Sequence, residues 1–147
     1  MRKPIALFII IIMMIVTFAA CDATVRISDG VYMVEMAEFD ENGYKDFVEF
    51  EIKGGKVISI KANAYSEADG SFKTDSVEIR SMMESINGTY PEKFYRDLVN
   101  EYIGSGGEQV NVIAGATVTS ENFFKLMDVA KNAASTGDTS IRIVEVE

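Results

Sequence analysis

The sequence predicts a single small α+β domain, a mostly antiparallel sheet with three helices, and three observations carry that prediction. Alternating apolar and polar residues mark strands early in the chain, apolar residues at helical spacing mark three later segments, and glycine-containing turns separate them. Read in order, the chain gives three strands, two helices, an extended piece leading through a small-residue loop into a third helix, and a closing strand. Strands and helices are thus largely segregated along the chain, as in α+β domains.

The element that precedes the domain reads as a targeting segment. Arg2 and Lys3 stand before an apolar run from Ile5 to Ala20 broken only by Thr17, which is the charged start and short apolar centre of a secretory signal. The run stops at Cys21, the only cysteine of the 147 residues, after Phe18-Ala19-Ala20. Small residues just before a cysteine suit a lipoprotein signal peptidase, so the expectation is a signal peptide over 1–20, a lipid on Cys21 and a tether over 21–28. An uncleaved anchor is the second reading, but the run has 16 residues where a spanning helix needs about 20.

After the turn Asp29-Gly30, Tyr32, Val34 and Met36 share one face of a strand expected over Val31 to Phe39. Asp40-Glu41-Asn42-Gly43 turns the chain, and Val48, Phe50 and Ile52 then alternate with Glu49, Glu51 and Lys53, the pattern of a half-buried strand. Gly54-Gly55 makes a tight hairpin turn into a strand whose inward face is Ile58, Ile60, Ala62 and Ala64. A helix is expected to start at Asp75 or Ser76, to carry Ile79, Met82, Met83 and Ile86 on its apolar stripe, and to stop at Asn87-Gly88. Pro91 suits the first turn of a second helix with Tyr95, Leu98, Val99 and Tyr102 inward, closed by Gly104-Ser105-Gly106-Gly107. Gln109 to Ile113 reads as extended, the third helix turns Phe123, Leu126, Met127, Ala130 and Ala134 inward, and Ile141 to Val146 closes the chain as a strand. The methionines and aromatics fall on these inward faces and read as core.

Composition excludes several kinds of chemistry. With no histidine and one cysteine, the chain has no Ser-His-Asp or Cys-His catalysis and almost no route to zinc, copper, haem or iron–sulfur ligation. The stretch Asp40 to Glu51 has some calcium-loop spacing, but Lys45 occupies the glycine position. No carboxylate pair stands out for glycoside hydrolysis. Without residues 1–20, 12 basic and 23 acidic residues remain, a net charge of −11, which opposes nucleic-acid binding.

What remains is Ala114-Gly115-Ala116-Thr117-Val118-Thr119-Ser120, where almost no side-chain bulk stands before a helix. A helix N-terminus offers unpaired N–H groups and the positive end of its dipole, which suits a phosphate, and Thr119 or Ser120 is expected to cap the helix. The plain alternative is a capped helix start that binds nothing.

The stretch Asn111 to Ser120 resembles the signature of the FMN-binding domain family, in which an aspartate, two variable residues and Ser/Thr/Ala-Gly-Ala-Thr-x-Thr/Ser-Ser precede a helix. Asn111 stands at the aspartate position and Ala114 at the small-residue position. Asp29-Gly30-Val31-Tyr32 resembles the family's opening and Lys53-Gly54-Gly55-Lys56-Val57 its strand-turn-strand, so the likeness spans most of residues 29–134. The resemblance implies an FMN-binding domain over 29–147 and FMN as cofactor, joined through its phosphate to Thr117 by a flavin transferase that uses FAD and magnesium. It implies that Asn111, Ala114, Gly115, Ala116, Thr119 and Ser120 surround that attachment. It also implies an electron carrier held at the extracytoplasmic face of the membrane by the lipid on Cys21, working with a membrane reductase or another redox partner and not with nucleic acid. A nonredox envelope binding or structural lipoprotein, keeping the fold without covalent flavin, is the alternative, and Asn111 is the residue that favours it.

Overall fold

A computed structural model of the chain describes residues 27–108 and 111–145. The signal segment, Cys21 and the tether as far as residue 26, Gln109 and Val110 of the extended piece, and Val146 of the closing strand lie outside the described residues. Strand β1 (Gly30–Met36) pairs antiparallel with β2 (Tyr44–Lys53), β2 pairs antiparallel with β3 (Lys56–Ser66), and the short β4 (Arg142–Val144) runs parallel to β1, giving the order β3-β2-β1-β4. Helices α1 (Val77–Asn87), α2 (Pro91–Gly104) and α3 (Thr117–Thr136) complete the α+β architecture that the pattern predicts.

Period-two alternation sets the register. Tyr32 pairs with Phe50 and Val34 with Val48, so the apolar sets of β1 and β2 share one face, and Ile60 and Ala62 of β3 extend it opposite Phe50 and Val48. Helices α2 and α3 cover that face with Phe94, Leu98 and Tyr102 and with Phe123, Leu126, Met127 and Ala130. A packed interior of this kind replaces the disulfide that one cysteine cannot form.

Four local expectations give way to the structure. First, β1 ends at Met36 and Phe39 is exposed, because the Asp40 carboxylate accepts the N–H groups of Asn42 and Tyr44, both at 2.8 Å, and starts the turn early. Second, Ile58 is 54% exposed. A β-bulge sets both Val57 and Ile58 against Ile52, which throws Ile58 off the core face.

Third, residues 111–113 are irregular and join no strand. The Ile113 N–H goes to the Ser120 hydroxyl at 3.0 Å and not to a sheet, and β4 takes the edge beside β1. Fourth, α1 buries none of its residues, so Met82 and Ile86 are exposed, as is Phe72 before the helix. Its ends are fixed by caps: the Ser76 hydroxyl accepts the Ile79 N–H at 3.2 Å, and Gly88 closes the helix at φ 66°. Arg80 then ties α1 to α2 through Glu92 at 2.8 Å and by stacking over Tyr90.

Candidate functional site

The small-residue loop sits where α3 begins, and its shape follows from two residues. Gly115 has φ 79°, and a Cβ there would lie 2.7 Å from Asn87 Cβ and 3.0 Å from Asn87 O. Asn87, the last residue of α1, donates its side-chain amide to Gly115 O at 3.3 Å. Only glycine allows the loop to press against α1 in this way. Ser120 is fully buried and pins the other side, its hydroxyl donating to Ala116 O at 2.8 Å while accepting the Ile113 N–H.

Helix α3 starts three residues earlier than a cap at Thr119 would place it. The N-cap is Ala116, which has no side chain to offer, so neither Thr119 nor Ser120 is the cap. The Ala116 N–H is used in a turn to Ile113 O at 2.9 Å, and the first helical bond runs from Ser120 N to Ala116 O. The N–H groups of Thr117, Val118 and Thr119 therefore have no acceptor within the helix. No acidic residue lies in the first turn to offset the dipole.

Around this start Asn111, Ala114, Gly115 and Thr117 are exposed, Ala116 is buried and Thr119 is half-buried. Val118 is 66% exposed and Ile86, next to Asn87, is 74% exposed. Thr89 Oγ1 is buried without a hydrogen-bond partner among the described residues, and its methyl group lies 3.3 Å from where a Gly115 Cβ would stand. The loop thus presents an exposed threonine beside amides that have no acceptor among the described residues, an arrangement suited to an anion such as a phosphate ester. It holds no general base, and no cluster of potential metal ligands occurs among the described residues.

Beneath the loop lies a buried carboxylate. Asp46 of β2 accepts from Tyr95 Oη at 2.7 Å and Asn122 Nδ2 at 2.8 Å, joining β2, α2 and the first turns of α3. Burial pushes its carboxyl above the usual carboxylate range, against the pull of those two donors and of Lys73. Asp46 shares the parity of Val48, Phe50 and Ile52, and that was the available signal of its burial. The contact of Asn87 with Gly115 had no signal in the sequence.

Fold and loop define a small α+β domain with an uncapped helix start, and the comparisons with known proteins narrow this. No family model matches the chain. The 15 kDa lipoprotein of Treponema pallidum (strain Nichols) is 34% identical over 124 residues, covering 84% of this chain and 86% of that protein. The chain belongs to the family of that treponemal lipoprotein. The crystal structure of the CPE2226 protein from Clostridium perfringens shares the fold, with a TM-score of 0.77 and 28% identity over 82% of this chain and 99% of that one. Among the described residues no helix is long and apolar enough to cross a membrane.

Proposed function

We propose that the chain is a lipoprotein anchored through Cys21 at the extracytoplasmic face of the membrane, and that it carries FMN on Thr117 as an electron-transfer group. The observation that carries the cofactor assignment is the uncapped start of α3, where an exposed Thr117 heads three amides that have no acceptor among the described residues. The residues fit the group. Thr117 would hold the phosphate as an ester, the amides of Val118 and Thr119 would be available to its oxygens, and Gly115 adds no side chain beside it. Ile86, next to Asn87, and Val118, in the first turn of α3 three residues after Gly115, offer exposed apolar surface on either side of the contact between Asn87 and Gly115. When bound, FMN supplies one- and two-electron redox chemistry, while the chain supplies position and shields the phosphoester.

Nothing in the loop can deprotonate Thr117, so the ester needs an external transferase. The threonine oxygen bonds to the FMN phosphorus of FAD, the pyrophosphate bond breaks and AMP leaves. The treponemal relative's name as a lipoprotein supports the anchor, and a thioether-linked lipid with several acyl chains would hold the domain durably.

Co-expression of the full chain with a flavin transferase, followed by in-gel fluorescence after denaturation, tests the assignment. A fluorescent band that disappears in Thr117→Val is the expected result. No band, together with no yellow colour in the native protein, sinks the carrier reading. The nonredox alternative rests on Asn111, exposed where the resembling signature has a carboxylate. Asn111→Asp is expected to raise the labelled fraction, and an unlabelled chain even with that substitution favours the alternative.

A further inference from the structure

A second site lies at the other end of the molecule. An apolar cavity of about 470 Å³ opens between β3, α2 and α3, walled by Phe50, Ile58, Ile60 and Ile103 and floored by Tyr102, within the range of small-molecule pockets. The bulge in β3 and the end of α2 leave Val57, Ile58 and Ile103 exposed around its mouth. Such a patch of bare apolar surface is costly unless something covers it.

The polar features of the cavity are few and specific. Tyr102 is 4% exposed, yet its hydroxyl has no hydrogen-bond partner among the described residues, which is a costly state for a buried donor. Burial pushes the phenol above its usual range against the opposing pull of Lys131, so Tyr102 remains a donor at ordinary pH. Lys131 lies over the Tyr102 ring at 5.8 Å, but its ammonium already donates to Gly107 O at 3.1 Å and stands 3.6 Å from Asp128. With that cation engaged and the domain strongly acidic, the site favours a neutral acceptor over an anion.

Position completes the case. Ile27 lines the cavity, and Ser28 N–H donates to Ala134 O at 3.0 Å, so the chain enters the domain here, six residues after Cys21. We infer that this cavity binds one acyl chain of a membrane glycerolipid, with the ester carbonyl of that chain accepting from Tyr102 Oη. The assignment rests on the anchor proposed at Cys21 and is independent of any flavin at Thr117.

Photolabelling of the full-length chain in amphipol tests it, with a palmitoyl glycerol monoester carrying a diazirine in its chain as the probe. Labelling is expected to concentrate on Val57 to Ile60 and on Ile103, and to be competed by unlabelled monopalmitoylglycerol. In Tyr102→Phe it should fall by about threefold to tenfold, the worth of one neutral hydrogen bond, while a diazirine alkane without the ester labels both proteins equally. Ile58→Glu, at an exposed position and with an unchanged thermal melt, should reduce labelling to background. Labelling that resists competition, or that persists in Ile58→Glu, overturns the proposal. So does a wild type that takes no probe beside a Cys21→Ser variant that does, because the protein's own lipid would then be the occupant.

Discussion

At Gly115 two constraints coincide, a positive φ and a helix end within van der Waals distance. Gly115→Ala should cost about 1–3 kcal/mol, read from the urea midpoint, and lower any labelling of Thr117 by pushing the loop off Asn87. The reason for small residues in the loop was legible in part: the absence of bulk is written in the sequence, whereas the neighbour that demands it lies 28 positions away. Asp46 illustrates the opposite case, a charged residue inside. Because burial raises its folded pKa above 3.8, the native state holds a proton that the unfolded chain has lost. Wild-type stability attributable to this group is therefore greatest in acid, falls as pH rises from about 4 toward the folded pKa, and is level beyond it. In Asp46→Asn, which keeps an acceptor for Tyr95, that fall should vanish. Urea unfolding of both proteins from about pH 4 to 8 measures it as the difference between the two curves.

Elements were more legible than their exposure. The three long strands, the double-glycine hairpin and all three helices follow from period and punctuation, and Pro91 and Gly88 fall where the terminal rules place them. Periodicity, however, reports that a face is apolar and not that anything covers it. The stripe on α1 and the inward set on α3 look alike in the sequence, yet in the first Met82 and Ile86 are exposed and Ile79 and Met83 only half-buried, whereas the second is buried. Substitution separates them: Leu126→Ala should cost about 2–5 kcal/mol, whereas Ile86→Ser should stay within about 0.5 kcal/mol, both read by chemical denaturation. If Ile86→Ser were as costly as Leu126→Ala, α1 would have to be packed in solution. The bulge in β3 was hidden for a related reason, since an unbroken alternation through Ile58 and Ile60 carries no mark of the extra residue that the partner strand imposes.

For the whole molecule, the order of elements was readable, but the direction of β4 and the relation between the two ends were not, because both depend on where α3 returns the chain. That return carries a consequence for encounter. Seventeen residues of α3 separate Thr117 from Ala134, the partner of Ser28, which at about 1.5 Å per residue is roughly 25 Å. Residues 21–27, whatever their conformation, span at most about 25 Å more. With the proposed anchor at Cys21, Thr117 stays within a hemisphere of about 50 Å radius above the bilayer, a volume in which one molecule amounts to a local concentration in the millimolar range. A membrane-bound partner that comes within this reach thus meets the loop at a concentration that geometry sets, while the surface density of both proteins sets how often it comes within reach.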